Sequence, residues 1–318
     1  MAFALLRHVA TRSAGVMMLA LMGAAVVFFA MRAAPGDPAL TALGEGATSE
    51  TIAAFRARWN LDEPLIVQFG LWVLNALRGD FGQSLSIASG TDVYTLFADR
   101  LPNTLFIGVY AIILAVLISL VAGTAAALNR GKLIDTVATS IAAAGISMPD
   151  FWIGYVLIYA FALGLGWFPA YGFVSPVESL GGALLSGFLP ALAIAAPMAA
   201  SFTRILRSAL IDNAHRDHVR VARSLGHGKS FIFLHHVLRN ALIPFVTVIG
   251  LQVRYLLGGT VVIERIFGIN GVGSLMIDAA FGRDYPIVQA CALTFLLIVL
   301  LVNIVVDLIC TMLNPRMR

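Results

Sequence analysis

The chain has 318 residues, of which 59% are hydrophobic and only 12% are charged. Soluble domains carry about 25% charged residues, so this composition excludes an ordinary soluble protein and places most of the chain in lipid. The net charge of +4 rests almost entirely on arginine, because Lys132 and Lys229 are the only lysines.

The first predicted membrane helix covers residues 9–31, after Arg7. The alternative interpretation of this stretch is a cleaved signal peptide. However, the apolar stretch over residues 14–31 is longer than the roughly 7–15 residues of a signal-peptide core. Residues 35–38 (PGDP) then supply helix breakers. We therefore expect this helix to remain in the membrane and to end at the interface.

Residues 32–100 are predicted to lie outside the membrane. Two short helices are expected there, one over residues 50–59 and one over residues 65–77. Thr48 or Ser49 supplies a cap for the first, because hydroxyl side chains bind the free amides of a helix start. The segment is too short to form a second domain with its own core.

Five further apolar stretches are long enough to cross a bilayer, whose core needs about 20 helical residues. They cover residues 101–128, 134–163, 188–211, 237–262 and 286–311. Pro149 should kink the third stretch, and Pro190 and Pro197 should interrupt the fourth. Cys291 and Cys310 lie about 28 Å apart along the last helix, so they are expected to pack in the core and not to form a disulfide.

The distribution of charge indicates the orientation. Thirteen of the 21 basic residues fall in segments assigned to the cytoplasm, namely Arg7, Arg12, Arg130, Lys132, Arg204, Arg207, Arg216, Arg220, Arg223, Lys229, Arg239, Arg316 and Arg318. Only four acids fall there, namely Asp135, Asp212, Asp217 and Asp307. The outer segments hold seven basic and twelve acidic residues. Basic residues favour the cytoplasmic side, so the sequence predicts six spans with both termini cytoplasmic.

A basic and polar island occupies the predicted cytoplasmic loop, residues 212–236. Helical spacing places Val219, Ala222 and Leu225 on one face of a short helix. Gly226 should end this helix, often with a positive φ, which glycine takes at little cost. A short helix between two membrane segments has no anchor in lipid, so we expect it to lie along the membrane face and dock a partner. The expected docking residues are Asp217, Val219, Arg220, Ala222, Arg223, Leu225 and Gly226.

The same loop contains a sequence, Gly228-Lys229-Ser230, that invites a phosphate-loop interpretation. A phosphate loop requires a glycine five residues before Gly228, and that position is Arg223. We therefore expect any ATP to be hydrolysed by a partner.

Five of the six histidines also lie in this loop or at its edge: His215, His218, His227, His235 and His236. His215 and His218 share a helical face, but only Asp212 or Asp217 could add to a ligand set. Solvated or partner-facing roles are expected, and no metal site.

Arg254 lies in the middle of the fifth span, where an exposed charge is costly, so it should face a cavity or a partner. Two roles remain open, a structural ion pair or backbone contact, and a place on a translocation path with Pro149 and Asp150. The spans lack the series of acids that a proton-coupled secondary transporter needs, and no catalytic set for a membrane-embedded enzyme is apparent.

Several segments resemble a known family. Residues 221–226 (VARSLG) and 238–244 (LRNALIP) are similar to the "EAA" coupling loop of binding-protein-dependent ABC importer permeases, with the proline 18 residues after the glycine. Residues 35–38 and 147–152 (SMPDFW) resemble, more narrowly, the permeases of dipeptide, oligopeptide and nickel importers. His218 is a departure, since this family usually has tyrosine there.

This resemblance implies an all-α membrane protein with the type I ABC importer permease fold. Residues 1–318 would form a single transmembrane domain of six helices with a cytoplasmic coupling helix, in the bacterial plasma (inner) membrane. The implied partners are a homologous second permease subunit, usually forming a heterodimer, two ATPase subunits and an extracytoplasmic solute-binding protein.

The resemblance also implies which subunits bind ATP and which solutes are transported. ATP and magnesium would be bound by the ATPase partners, and this chain would hold no cofactor, no nucleic acid and no catalytic residue. Short peptides are the expected cargo, and nickel chelates, glutathione, opines or sugars remain open.

Overall fold

The computed structural model describes residues 2–33, 38–44 and 46–313, with side chains described except at 2–17, 38, 41–42, 253–255, 257 and 307–313. Within these ranges the chain is helical, and the only extended pairing is an isolated bridge between Gln83 and Asp92. The chain divides into two units, Met1–Leu101 with Asn270–Leu300, and Pro102–Ile269 with Leu301–Arg318. The predicted all-α class is confirmed.

The helices follow one another along the chain with short connections. In order they are α1 (Ala2–Ala33), α2 (Pro38–Leu43), α3 (Ser49–Arg58), α4 (Leu65–Leu77), α5 (Val93–Ala98), α6 (Leu101–Leu128), α7 (Leu133–Ser147), α8 (Asp150–Leu157), α9 (Leu180–Ala214), α10 (Asp217–Ser224), α11 (Lys229–Ile232), α12 (Arg239–Phe267), α13 (Val272–Phe281) and α14 (Tyr285–Leu313). Two π-helical segments, Ile158–Gly164 and Phe233–Leu238, continue α8 and join α11 to α12.

Four segments of the described chain are long and apolar enough to cross a membrane: Val93–Leu128, Leu180–Ala214, Lys229–Gln252 and Tyr285–Val306. Two bent pairs qualify only jointly, Leu133–Ser147 with Asp150–Gly164 and Gly258–Phe267 with Val272–Phe281. The described part therefore holds four candidate spans, or up to six if each bent pair counts as one. The predicted span over residues 9–31 falls on α1, of which Met18–Ala33 is a shorter apolar helix.

Pro149 breaks the third predicted span into two helices, where the sequence predicted only a kink. Met148 and Pro149 both have extended backbone, with ψ of 133° and 143°, and the two helices on either side meet at 110°. The residue before a proline is pushed out of the helical region by the proline ring, so α7 ends there and α8 starts afresh at Asp150.

The expected interruption of the fourth span is wrong. Pro190 and Pro197 both lie inside α9, which runs without a break from Leu180 to Ala214. A proline removes one helical hydrogen bond, and in membrane helices this loss is tolerated because neighbouring helices supply compensating packing. Much of α9 is buried in this way, against α7, α8 and α12.

The helices expected between residues 32 and 100 are confirmed. Helix α3 begins after Thr48, whose hydroxyl oxygen accepts a hydrogen bond from the backbone N–H of Thr51 at 3.3 Å. Helix α4 begins directly after Pro64. The breaker at residues 35–38 falls largely outside the described residues.

In the unit formed by residues 1–101 and 270–300, a buried carboxylate fixes one loop. Asp284 Oδ2 accepts hydrogen bonds from Ser84 Oγ at 2.6 Å and from the backbone N–H groups of Leu85, Ser86 and Ile87 at 2.9, 2.9 and 3.2 Å. These bonds tie residues 84–87 to the start of α14. Nearby, Cys291 is buried in an apolar cluster, as expected, whereas the side chain of Cys310 lies outside the described residues.

In the other unit, an ion pair joins α7 to α9. Arg207 Nη2 donates to Asp135 Oδ2 at 2.7 Å, and Arg207 Nε donates to Oδ1 of the same carboxylate. The backbone N–H of Gly131 adds a third bond to Asp135 at 2.9 Å. A planar guanidinium that binds both carboxylate oxygens sets orientation as well as distance. The final turns of α9, which lead into α10, are thereby held against α7.

Candidate functional site

Helix α10 lies in the predicted docking loop and ends at Ser224, and Gly226 makes the expected turn after it. The φ angle of Gly226 is +80°, in the left-handed region. The N–H of Gly226 donates to Arg223 O at 3.1 Å, and the N–H of His227 donates to Ala222 O at 3.3 Å. These paired bonds form the glycine-dependent helix terminus known as the Schellman motif. A Cβ at Gly226 would meet no atom within 4 Å, so the need for glycine here is conformational within this chain.

The three residues expected on one face of α10 differ in burial. Val219 and Ala222 are buried within this chain, although both were expected among the docking residues, whereas Leu225 is 71% exposed. At 3.6 residues per turn, Leu225 lies about a third of a turn from Val219 and close to Val221 on the helix surface. The single face expected for Val219, Ala222 and Leu225 is therefore divided.

Leu225 instead accompanies Val221, which is 56% exposed. Residues four apart on a helix are neighbours on its surface, so this spacing could have revealed the pair in the sequence. We call Val221 and Leu225 the exposed apolar pair.

Charged side chains surround the exposed apolar pair. Asp217 and Arg220 are both largely exposed and form an ion pair of 3.5 Å along the helix, and Arg223 is also exposed. Exposed ion pairs of this kind contribute little to stability. The outer surface of α10 is thus a small apolar patch with a basic rim, the composition of a protein-binding surface.

Asn240 connects α10 to the start of α12. Its Nδ2 donates to the backbone oxygen of His236 at 2.7 Å and lies 3.5 Å from Nε2 of His218. His218 Nε2 also lies 3.4 Å from His236 O. Asn240 belongs to the segment 238–244 that resembles the coupling loop, and no role for it was predicted from the sequence. The structure places it between the short helix and a long one.

The loop histidines pack on one another and on Phe231. The ring of Phe231 stacks with His235 at 4.3 Å and with His227 at 4.8 Å between ring centroids. In the part of the chain that the structure describes, no three His, Cys, Asp or Glu side chains are arranged to hold a metal ion.

The second predicted site concerns Pro149, Asp150 and Arg254. Asp150 lines a cavity of about 310 Å³ between α7, α9 and α12. A Cβ at Gly259 of α12 would lie 2.5 Å from Asp150 Oδ2, so any larger residue there would displace the Asp150 carboxylate. Pro149 precedes α8 without lining the cavity. Arg254 lies on α12, but its side chain is outside the described residues.

Three polar side chains that were not predicted at this site line the same cavity: Ser201, Gln252 and Arg204, which was assigned to a cytoplasmic flank. Gln252 Nε2 donates to Ser201 Oγ at 3.4 Å, which joins α12 to α9. Gln252 is a polar residue in an apolar span, and that signal was present in the sequence. The cavity therefore combines one acid, one base and neutral hydrogen-bonding groups, so it can accommodate a polar solute.

Glu264 is a further buried polar residue, and it lies just beyond the predicted end of the fifth span. It is fully buried on α12, and Thr104 Oγ1 of α6 donates to Glu264 Oε1 at 2.7 Å. Helix α12 extends beyond the predicted span end at residue 262 to Phe267, so this carboxylate joins two helices.

Two family models match this chain and together cover most of it. Residues 115–318 match the model described as "Binding-protein-dependent transport system inner membrane component". Residues 5–108 match the model of the N-terminal part of the binding-protein-dependent transport system membrane component.

Relatives match over nearly the full length. The chain is 37% identical to a "Probable peptide ABC transporter permease protein" of Sinorhizobium fredii, over 92% of this chain and 93% of the relative. It is 38% identical to the "Glutathione transport system permease protein GsiC" of Salmonella choleraesuis, over 99% of both chains. The GsiC protein of Escherichia coli strain K12 is 37% identical over the same share of both chains.

A solved structure shares the fold. The crystal structure of "an amino acid ABC transporter with histidines" matches with a TM-score of 0.51 at 18% identity, over 68% of this chain and 92% of that one.

Proposed function

This chain belongs to the family of binding-protein-dependent transport system inner membrane components, and we propose that the ABC importer of which it is the permease subunit carries short peptides. It is a multi-pass inner membrane protein. One relative is named as a peptide permease and another as a glutathione permease. Glutathione is itself a small peptide, so both names favour a cargo with amide groups and carboxylates.

We propose that α10 is the coupling helix that docks on an ATPase subunit. The observation that carries this proposal is the exposed apolar pair on a short, glycine-capped helix with a basic rim. Closure of the ATPases on ATP, with its magnesium, would move α10. Val219, Ala222 and the hydrogen bonds of Asn240 would transmit the motion to α12. No residue of this chain would take part in ATP hydrolysis.

The remaining partners are also proposals. A homologous second permease subunit, different from this chain, would complete the translocation path, and an extracytoplasmic solute-binding protein would deliver the cargo. The cavity lined by Asp150, Ser201, Arg204 and Gln252 would face that path, together with Arg254 on the same helix as Gln252. Its opposite charges suit a peptide, which carries an ammonium group and a carboxylate.

Uptake into proteoliposomes tests the proposed cargo. The permease pair, its ATPases and the solute-binding protein should take up a labelled dipeptide on addition of ATP. An excess of unlabelled tripeptide should compete, whereas a nickel chelate or a sugar should not. Competition by the chelate or the sugar alone would assign the importer to another cargo while leaving the coupling proposal intact.

We expect residues 32–100 outside the cell and residues 212–236 in the cytoplasm. Ser89 and Ser230 are exposed and suit single-cysteine labelling, whereas Ser84 is buried against Asp284. In a variant lacking Cys291 and Cys310, a cysteine at Ser89 should react with an impermeant maleimide in intact cells. One at Ser230 should react only after the cells are opened, and the reverse pattern would contradict the orientation.

Replacing Arg254 by alanine should lower transport without loss of assembly, and more strongly for anionic than for cationic peptides. A cation on the path would attract a peptide carboxylate and is costly in the membrane when unpaired. The ratio of the initial uptake rates of anionic and cationic peptides measures this effect. Arg254→Lys, which keeps the charge, should retain most of the parent protein's preference for anionic peptides. Equal loss for both classes, with poor expression, would assign Arg254 to structural pairing.

A further inference from the structure

A second cavity, of about 270 Å³, lies within the unit formed by residues 1–101 and 270–300. Its wall is rich in aromatic rings, which come from Phe28, Phe55, Trp59, Trp72, Phe81 and Tyr285. The rings of Phe28 and Trp72 lie 5.8 Å apart between centroids. This cavity belongs to neither the α10 surface nor the cavity at Asp150.

Three buried polar atoms on residues that line this cavity have no hydrogen-bond partner among the described residues. They are Arg32 Nε, Gln68 Oε1 and Gln289 Nε2. Gln68 and Gln289 are only 6% and 5% exposed. Buried polar atoms are nearly always paired, so three unpaired ones around one space indicate that something else satisfies them.

The hydrogen bonds of Gln68 define what it offers. Its Nε2 donates to the backbone oxygens of Leu61 at 3.0 Å and Glu63 at 2.7 Å. Both amide protons are thus used, and Oε1 is left as an acceptor. Arg32 Nε and Gln289 Nε2 are donors. The unpaired buried atoms of the lining are therefore two donors and one acceptor.

The charge and the apolar surface of the cavity further limit the class of solute that it can bind. The guanidinium of Arg32 lies over the Phe28 ring, 5.5 Å from its centroid, and has no carboxylate partner within the described ranges. Arg58 and Asp80 also line the cavity, so its lining carries one net positive charge. A monoanion with its own N–H donor and an apolar group would match the donors, the acceptor and the rings.

We propose that this cavity is a binding site for a small solute that carries a carboxylate beside an amide N–H, as an N-acylated amino acid does. Arg32 and Gln289 donate to the carboxylate, Gln68 accepts from the N–H, and the aromatic wall covers the side chain. The site shares no residue with the cavity at Asp150. The C-terminus of a short peptide has the same chemistry, but binding here is measured without transport, so it can fail while the proposed cargo stands.

The cavity contains its own reporters, because Trp59 and Trp72 line it. The full permease complex with its ATPases, in nanodiscs and without the binding protein, would carry Trp152→Phe and Trp167→Phe. Titration with N-acetyl-L-leucine should quench the tryptophan fluorescence saturably. N-acetyl-L-leucine amide, which lacks the carboxylate, should bind at least tenfold more weakly. Absence of saturable quenching, or equal affinity for acid and amide, would overturn the proposal. Water molecules would then be the partners of the unpaired atoms.

Gln289→Leu separates ligand binding from a structural role. It removes an unpaired buried donor, so thermal stability without ligand should be unchanged or raised, while affinity for N-acetyl-L-leucine should fall about tenfold. The exposed Gln83→Leu serves as the matched control and should change neither quantity. Arg32→Gln should abolish the preference for the acid over the amide. Lower thermal stability of Gln289→Leu with unchanged affinity would assign Gln289 to structure and overturn the proposal.

Discussion

Replacing Gly226 by aspartate should abolish the stimulation of ATP hydrolysis by the loaded binding protein, with membrane insertion retained. Gly226 has a φ of +80°, which costs an L-residue about 1–2 kcal/mol, and aspartate tolerates this region better than most residues. The larger effect comes from an unpaired carboxylate beside the exposed apolar pair. Burying it in an interface would cost about 2 kcal/mol or more, roughly a 30-fold loss of docking affinity.

The measurement is ATPase activity of the reconstituted complex with and without binding protein, beside a pull-down of the ATPase subunits. Gly228→Asp is the matched control, because Gly228 lies two residues away with a φ of −65° and equally open surroundings. Gly226→Asn, which tolerates a positive φ and adds no charge, should remain largely coupled. If Gly226→Asp couples like the parent protein, α10 is not the coupling helix.

Replacing Asp284 by alanine should severely destabilise the unit of residues 1–101 and 270–300. Four donors, from Ser84 to Ile87, would lose their shared acceptor in a buried site. A hydrogen bond to a charged group contributes about 1.5–3 kcal/mol, so the combined loss should exceed about 3 kcal/mol. The expected result is little folded protein in detergent, or a sharply lowered melting temperature.

Size-exclusion profiles and thermal melting of the purified chain with its partners measure this effect. Asp99→Ala, at an exposed carboxylate of the same unit, should behave like the parent. Asp284→Asn retains one acceptor oxygen and should lie between the two. Normal stability of Asp284→Ala would show that residues 84–87 are held by other contacts.

Features that depend on a few neighbouring residues were predictable. Thr48 caps α3, Pro64 precedes α4, and Gly226 takes a positive φ, because each follows from local hydrogen bonding or sterics. The shared face of Val219 and Ala222 follows from the helical period, but their burial within the chain depends on packing. Leu225 was grouped with them from its spacing of three, although at 3.6 residues per turn it lies closer to Val221 on the helix surface.

Other features depend on residues far apart in the chain. Asp284 binds a loop almost 200 residues earlier, and Arg207 binds Asp135 across 72 residues. Each of these residues appears in the sequence as an isolated charge in a loop or near a span end. Nothing local indicates its partner, so the hydrogen bonds that satisfy it could not be predicted.

The amino-acid sequence by itself determined the all-α membrane class, the family resemblance and the position of the short helix α10. Amino-acid composition, the length of apolar runs and the residues that end helices do not depend on distant contacts, so they can be recognised in the sequence. The tertiary structure alone decided that α9 continues through Pro190 and Pro197, and that Asp150, Arg204 and Gln252 share one cavity. It also revealed the polar atoms around the aromatic cavity that have no partner in the described part of the chain. These outcomes depend on which helices pack together, because packing determines which polar groups are buried and which find partners.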